Sequence, residues 1–337
     1  MRWGFIGASN IAERVIRSLR TLEGQELAGV CSRSEARARE FASAQGLRTS
    51  HTDLAAFLAE GGYDAVYISS TNEQHCEQTI AALDAGCHVM CEKPLAMTEA
   101  DALRMVHHAA ARGRVLSTNH HLRAQAAHGT IRDLVAAGEI GRVHGVQVSH
   151  AVLLPPHLRG WRLDAPGAGG GVVLDILVHN ADLLRYLLGR NPVAIQTRTQ
   201  HNGLVGAAAG PGTPEDGAMS LIEFEGGTLA QTHESFVAAH AATRLHVLGT
   251  EGTLYAVGSL TQAGTAELWQ RDARGERQIA VPPVDLYAVG FSAFIEACAG
   301  RGQPLASGAD GAWAMATALA GLRAAAAGTA MPVTLAL

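Results

Sequence analysis

A lysine with the setting of a ligand-binding group follows one of the apolar runs of the sequence. His88-Val89-Met90 predicts a short buried strand, and Cys91-Glu92-Lys93-Pro94 comes directly after it. In open α/β sheets, ligands bind at the carboxyl ends of the strands. Pro94 fixes the direction of the chain there, and a cis bond before it would be typical of a rigid functional turn. An arbitrary Glu-Lys-Pro is more often a solvated strand cap, so a chemical role for Lys93 depends on the rest of the chain.

An aspartate and a histidine form the second candidate group. The run Gly169-Gly170-Gly171 precedes an apolar stretch that contains Asp175 and His179. Residues four apart share one face of a helix, and the apolar neighbours predict that this helix is buried. A histidine beside a carboxylate suits a proton donor or acceptor near neutral pH. A pair that only joins two layers of the fold is an equally good interpretation. A zinc site would need a third ligand, which no useful spacing supplies.

The amino-terminal turn has the pattern of a dinucleotide site. The apolar run from Trp3 to Ile6 predicts a strand, and Gly7-Ala8-Ser9-Asn10-Ile11-Ala12 leads into an amphipathic helix. In such a turn the pyrophosphate meets the amide groups at the helix N-terminus. Ser9 and Ala12 stand where the fingerprint has its second and third glycines. Serine fits there, and its hydroxyl could donate to a phosphate.

The end of the second strand favours NADP over NAD. The strand from Leu27 to Cys31 is followed by Ser32, Arg33 and, one helical turn later, Arg37. An NAD-selective site has a carboxylate here for the ribose hydroxyls. A hydroxyl and two guanidinium groups instead match a 2′-phosphate, which arginine binds in a bidentate manner. The competing interpretation is a solvated helix face, which we expect for Arg39.

The elements that position these residues predict two domains. Strands and helices alternate with short connections through residue 119, which indicates a doubly wound parallel sheet of the Rossmann type over residues 1–119. Residues 120–337 contain longer alternating strands joined at Gly226-Gly227 and at Gly249 to Gly252. This pattern predicts an α+β domain on a mostly antiparallel open sheet, with an exposed loop between Gly203 and Pro214.

Composition excludes several classes of function. The 337 residues are 47% hydrophobic and 17% charged, with a formal charge of -5 and no basic cluster, so nothing indicates a nucleic-acid partner. No apolar run is long enough to span a bilayer, and the first residues run straight into a strand without room for a signal peptide. The five cysteines lack the spacing of a disulfide framework. We therefore expect a reduced cytoplasmic protein without a metal.

These motifs together resemble the Gfo/Idh/MocA oxidoreductase family across essentially the whole chain. Glu92-Lys93-Pro94 followed by Gly170-Gly171 with Asp175 and His179 is specific to that family in this order. Longer runs, including Thr118 to Arg123, Leu154 to Leu158 and Gly160 to Leu163, are similar to a member that reduces a cyclic keto sugar with NADPH. The segment from Thr261 to Val281 matches weakly.

The resemblance implies site residues on both sides of the predicted domain boundary. The catalytic group would be Lys93, Asp175 and His179. The cofactor contacts would be Ala8, Ser9, Asn10, Ile11, Ser32, Arg33, Arg37, Ser70, Thr71, Asn72, His75, Glu92, Lys93, Asn119, Trp161, Arg162 and Tyr287.

The activity expected from the resemblance is NADPH-dependent reduction of a cyclic keto sugar. A related NAD(P)-dependent inositol, glucose or polyol dehydrogenase is the first alternative, and a dinucleotide-binding regulator without activity is the second. Retention of Lys93 and His179 disfavours the regulator. A monomer and a homo-oligomer formed through the open sheet are both compatible with the sequence.

Overall fold

The computed structural model describes residues 1–159, 169–204 and 213–337 and divides the chain into two units. The first unit comprises Met1–His121, Asp285–Ala312 and Leu337. The second comprises Leu122–Val284 and Trp313–Ala336.

The first unit contains a six-stranded parallel sheet in the order β3-β2-β1-β4-β5-β6. Its strands are β1 (Arg2–Ile6), β2 (Glu26–Cys31), β3 (Thr49–His51), β4 (Ala65–Ile68), β5 (His88–Cys91) and β6 (Leu116–Thr118). This is the strand order of a Rossmann fold, which confirms the predicted fold class. In such a sheet the carboxyl ends of the strands lie along one edge, where ligands bind.

Helices alternate with these strands, as the sequence predicts. They are α1 (Asn10–Leu19), α2 (Glu35–Ala44), α3 (Leu54–Gly61), α4 (His75–Asp84) and α5 (Glu99–Arg112). The side chains of Ser9, Ser34, Asp53 and Thr98 each accept a backbone N–H at the start of the helix that follows. These caps supply acceptors for amides that have no partner inside the helix.

The second unit contains a nine-stranded sheet in the order β14-β13-β12-β11-β7-β10-β9-β8-β15. All described neighbours in it are antiparallel except β7 and β10. The strands are β7 (Val143–Ala151), β8 (Pro192–Gln200), β9 (Gly217–Phe224), β10 (Thr228–Ser235), β11 (Arg244–Gly249), β12 (Gly252–Val257), β13 (Glu267–Asp272), β14 (Gly275–Ile279) and β15 (Met331–Pro332). Gly226 and Gly227 both have positive φ in the turn between β9 and β10, which forms the predicted hairpin.

Two helices of the second unit are α6 (Ala126–Ala136) and α7 (Val178–Leu188). A π-helical turn, Val173–Leu177, runs directly into α7. The sequence predicts an α-helix from the glycines onward, so the π-helical turn is a correction. Such turns occur mostly as single insertions and often at functional sites.

The carboxyl-terminal helices are α8 (Leu286–Cys298) and α9 (Gly308–Ala327). Phe291 and Phe294 of α8 pack against Trp3, with ring centroids 5.4 and 5.7 Å apart, which places α8 in the first unit. The division of the chain therefore differs from a single cut after residue 119, because aromatic packing joins residues far apart in sequence. None of the helices in the described ranges is long and apolar enough to cross a membrane.

Candidate active site

Gly7 ends β1 in a conformation that only glycine adopts easily. Its φ is +109°, and a Cβ added there would lie 2.7 Å from the backbone of Ser69 and of Ser70 at the end of β4. The Gly7 N–H donates to the carbonyl of Cys31 at 2.8 Å. The glycine therefore lets the turn lie against the neighbouring strand ends, the geometry in which a backbone can approach a pyrophosphate.

Ser9 fixes the start of α1 with its hydroxyl. The oxygen accepts the Ala12 N–H at 3.1 Å, and the hydroxyl donates to Ser69 Oγ at 2.7 Å. The hydroxyl is thus already bonded within the protein. What this end of α1 offers an anion is its backbone amides and the positive end of the helix dipole.

Three arginines follow β2, and all of them, Arg33, Arg37 and Arg39, are exposed. Arg37 donates from Nη2 to the carbonyl of Ala8 at 2.8 Å, so its guanidinium lies beside the glycine turn. Arg39 pairs with Glu35 at 2.5 Å on an exposed helix face, as predicted for that residue.

The carboxylate of Asp53 accepts Ala56 N–H at 2.7 Å as the cap of α3. Burial and the charge of Asp53 together raise the pKa of Cys31 to about 11.

The polar segment after β4 is tied to the turn that contains Lys93. His75 is fully buried, with Nδ1 2.9 Å from the Pro94 carbonyl and Nε2 3.3 Å from the Ser70 carbonyl. Burial lowers the pKa of His75, and the neutral ring has one N–H, which it can donate to one of these two carbonyls. The hydroxyls of Ser70 and Thr71 donate to Gln78 and Glu73. Ser70, Thr71, buried Asn72 and His75 therefore lie together in the segment after β4, where hydrogen bonds hold it in place.

Glu92 organises the end of β5 from inside the unit. Its Oε1 accepts from the Tyr67 hydroxyl and from Asn119 Nδ2, each at 2.5 Å, and Oε2 accepts the Lys93 N–H at 3.3 Å. Burial raises the pKa of Glu92, and burial and the nearby Glu92 raise the pKa of Tyr67. Asn119 also donates its backbone N–H to the Cys91 carbonyl at 2.8 Å. The carboxylate therefore fixes the two strand ends on either side of Lys93.

Lys93 itself is half-buried, and the bond from Lys93 to Pro94 is cis. It is also the only lysine in the sequence, among 26 lysine and arginine residues. Tyr287 lies in the first turn of α8 in the same unit, where its ring stacks on His121 with the ring centroids 5.3 Å apart. Burial raises the pKa of Tyr287 above its usual range.

The first unit thus presents one continuous row of strand ends. Gly7, Ser32, Ser69, Glu92 and Asn119 each follow a strand of the same parallel sheet directly. The glycine turn, the α1 amides and this polar row together suit a dinucleotide.

In the second unit, Asp175 lies in the π-helical turn and His179 in the first turn of α7. Val173, Leu174, Ile176, Leu177 and Val178 around them are buried, as predicted, and His179 is 7% exposed. Because the turn containing Asp175 is π-helical, the four-residue spacing alone does not define a shared α-helical face. The helical backbone, rather than a loop, carries both side chains, and helices position functional groups rigidly.

Glu215 supports this turn and is a residue that the sequence pattern does not indicate. Its Oε1 accepts the Val173 N–H at 2.9 Å, and its backbone carbonyl accepts the Val172 N–H at 3.0 Å. Burial raises the pKa of Glu215 despite the bond from Val173. Gly171 has a φ of +88°, and a Cβ there would lie 2.4 Å from Glu215 Oε1. The third glycine of the run therefore leaves room for a carboxylate that caps the turn bearing Asp175.

We expect Gly171→Ala to destabilise the protein more than a matched glycine variant does. Gly138 has a φ of +75° with nothing within 4 Å of an added Cβ, so Gly138→Ala measures the strain of positive φ alone, about 1–2 kcal/mol. Crowding against Glu215 adds about 1–3 kcal/mol in Gly171→Ala. Urea unfolding of both variants checks this difference. Equal losses would mean that Glu215 moves aside without cost.

Two predicted cofactor residues, Trp161 and Arg162, lie outside the described residues, as do residues 205–212 of the predicted loop. Within the described ranges, no group of three or more His, Cys, Asp or Glu side chains could hold a metal ion.

Comparison with known proteins identifies both units. Residues 1–120 match the model of an oxidoreductase family with an NAD-binding Rossmann fold, and residues 128–255 match the GFO/IDH/MocA C-terminal domain. The 1,5-anhydro-D-fructose reductase of Ensifer adhaerens is 46% identical over 98% of both chains. The myo-inositol 2-dehydrogenase of Thermotoga maritima is 27% identical over 94% of this chain and 93% of that protein.

Solved structures agree on the fold. The aldose-aldose oxidoreductase from Caulobacter crescentus aligns over 98% of this chain and 99% of that chain, with a TM-score of 0.87 at 23% identity. This likeness concerns the fold alone. The two family models and the 46% identity across nearly the full length establish that the chain belongs to the Gfo/Idh/MocA family of oxidoreductases.

Proposed function

We propose that the protein reduces 1,5-anhydro-D-fructose to 1,5-anhydro-D-mannitol with NADPH. The observation that carries this proposal is the 46% identity, over 98% of both chains, to a 1,5-anhydro-D-fructose reductase. The retained Lys93, Asp175 and His179 support it, because they supply the groups that reduction of a ketone needs.

The residues have distinct roles in this reaction. The cofactor, when bound, would supply the hydride for the keto carbon of the sugar, and the sugar oxygen would then carry negative charge. The Lys93 ammonium hydrogen bonds this oxygen and offsets the charge as it develops. His179 donates the proton, and Asp175 orients the ring. Lys93 is the alternative proton donor. The α1 amides and the polar row at the strand ends of the first unit would hold the cofactor.

A preference for NADP would depend on Arg33 and Arg37. Replacing both with serine is expected to raise the KM for NADPH by roughly 10- to 100-fold, because hydrogen bonds to a charged phosphate are lost. The KM for NADH should change little. Arg39→Ser is the matched control, since this exposed guanidinium pairs with Glu35. Initial rates with both cofactors give the comparison, and equal effects on NADPH and NADH would contradict the role.

Oxidation of a polyol is the second candidate function. The myo-inositol 2-dehydrogenase relative, aligned over 94% of this chain, favours it. Rates with a panel of ketoses, aldoses, inositol and glucose in both directions separate the two. Faster oxidation of inositol or glucose than reduction of any ketose would replace the first candidate. A regulator without activity would show no turnover with the whole panel.

We infer that the oligomeric state is one of two alternatives, a monomer or a homo-oligomer formed through the open face of the second sheet. Met219, Leu221 and Leu229 are 46–50% exposed on β9 and β10, and apolar clusters of this kind occur at contacts between subunits. Light scattering of the wild type and of Leu221→Glu distinguishes them.

We also infer a cytoplasmic location, in keeping with five free cysteines among the described residues, four of them buried.

A further inference from the structure

Three buried polar side chains form a chain of hydrogen bonds inside the second unit. His150 on β7 and Glu234 on β10 are paired residues of adjacent strands. Asn180 on α7 connects them, with its Oδ1 2.9 Å from His150 Nδ1 and its Nδ2 2.8 Å from Glu234 Oε1. His150 is 8% exposed, and Asn180 and Glu234 are fully buried. Burying such groups is costly unless their hydrogen bonds are made.

The ionised carboxylate of Glu234 determines which group donates and which accepts in each hydrogen bond of this series. A carboxylate only accepts hydrogen bonds, so the side of the Asn180 amide that faces Glu234 must be the NH₂ group. The amide oxygen then faces His150 and can only accept. His150 must therefore donate from Nδ1, and its neutral ring carries the proton on Nδ1 and none on Nε2.

We propose that Glu234 and Asn180 are positioning residues, which hold neutral His150 as the Nδ1–H tautomer and fix the first turn of α7. Asn180 directly follows His179 in that turn. Its two bonds, one to each of two paired strands, restrain both the rotation and the height of the turn above the sheet. The expected effect of Asn180 on kcat rests on the proposed role of His179. The prediction for the tautomer of His150 does not depend on that role.

The charge of Glu234 is the variable in this arrangement. Burial raises its pKa to about 7, and the bond from Asn180 opposes only part of the rise. Below that pH the protonated carboxyl can donate as well as accept, so Glu234 no longer determines which groups of Asn180 and His150 donate. The Nδ1–H preference should therefore be strongest at pH values well above 7 and should weaken as the pH falls through 7.

The other titratable groups packed around the chain are few in the described ranges. His150 faces Glu234 from β7, and Asp175 belongs to the π-helical turn packed against β10. His128 of α6 lies near His150, and burial lowers its pKa to about 4. His128 is therefore neutral between pH 6 and pH 8.5. The groups whose charge can matter there are Glu234, His150, Asp175 and His179, which directly precedes Asn180 on α7.

Nitrogen NMR tests the tautomer directly. The full-length protein is labelled with ¹⁵N in its histidine rings, and the His150 signals are those missing from the spectrum of His150→Gln. Long-range proton–nitrogen correlations at pH 8.5 report which ring nitrogen carries hydrogen. We expect Nδ1–H in the wild type. An Nε2–H ring at this pH would overturn the proposal.

Two variants show whether Glu234 and Asn180 cause the preference. Asn180→Leu removes the connecting amide without adding charge, and the Nδ1–H preference should be lost. Glu234→Gln is neutral at every pH, so the tautomer should no longer change between pH 8.5 and pH 6. Glu223→Gln, at an exposed position on β9, is the control. A tautomer unchanged in Asn180→Leu would overturn the proposal, even if that variant is less stable.

Kinetics test the positioning of α7. Asn180→Leu should lower kcat about 10- to 100-fold, with the KM for NADPH unchanged. Unchanged kcat would overturn this part. If the wild type does not reduce 1,5-anhydro-D-fructose, the proposed function fails while the NMR result still decides the tautomer. The two failures are therefore distinguishable.

Discussion

Lys93→Met and His179→Ala are each expected to fold, bind NADPH and lose most of their turnover. Loss of the Lys93 ammonium should lower kcat by about 10²- to 10³-fold, as removal of an oxyanion partner does. Loss of the His179 proton donor should lower it by about 10²- to 10⁴-fold. Both effects arise because the charge on the sugar oxygen forms only in the transition state. Steady-state rates and cofactor fluorescence titrations separate turnover from binding.

Near-normal rates in both variants would contradict the assignment. A loss of NADPH binding equal to the loss of rate would instead place Lys93 in cofactor binding alone. Circular dichroism of both variants controls for folding, and Arg39→Ser, at an exposed position on α2, controls for removal of a positive charge.

The single lysine offers an independent check on the same prediction. Lys93 is the only side-chain amine in the sequence, and the α-amino group of Met1 donates to the Gly24 carbonyl at 2.6 Å. Acetylation, which removes the positive charge of the amine, followed by peptide mass analysis therefore measures one side chain. Modification of Lys93 and loss of activity should proceed at the same rate, and NADPH with substrate analogue should slow both.

Arg123→Met should strongly destabilise the second unit. Arg123 donates from Nε and Nη2 to Asp182 at 2.8 and 2.6 Å, and the two side chains are 6% and 1% exposed. The variant leaves a buried carboxylate without its bidentate partner, which costs about 3–5 kcal/mol. The midpoint of urea unfolding should fall accordingly.

Arg132→Met is the matched control for this stability prediction. Arg123 and Arg132 both lie over the ring of Tyr186, at 5.1 and 4.8 Å. Arg132 is 43% exposed and pairs with exposed Asp133, so its loss should cost less than about 1 kcal/mol. Similar midpoints for the two variants would mean that stacking on Tyr186, not the buried ion pair, accounts for the stability.

The sequence predicts those features that depend on neighbours in the chain. Gly7, the caps Asp53 and Thr98, and the hairpin at Gly226-Gly227 all carry local signals, and the structure confirms each of them. Alternating strands and helices likewise predicted the parallel sheet of the first unit. Local signals suffice here because caps and turns are satisfied within a few residues.

Features that depend on distant residues were not predictable in this way. Phe291 and Phe294 bring α8 into the first unit by packing on Trp3, nearly the full length of the sequence away. Glu215, just before β9, and Glu234 on β10 support the turns bearing Asp175 and His179, and an isolated glutamate carries no sequence signal of such a bond. The π-helical turn is equally hidden, because hydrophobic spacing does not reveal a single widened turn.

Loss of NADPH absorbance with 1,5-anhydro-D-fructose, together with identification of the product, tests the central claim most directly. The proposal predicts a higher kcat/KM for this substrate with NADPH than for any other ketose or aldose, and 1,5-anhydro-D-mannitol as the product. Lys93→Met should abolish most of the signal. No NADPH oxidation with 1,5-anhydro-D-fructose, while inositol or glucose is oxidised readily with NAD or NADP, would contradict it.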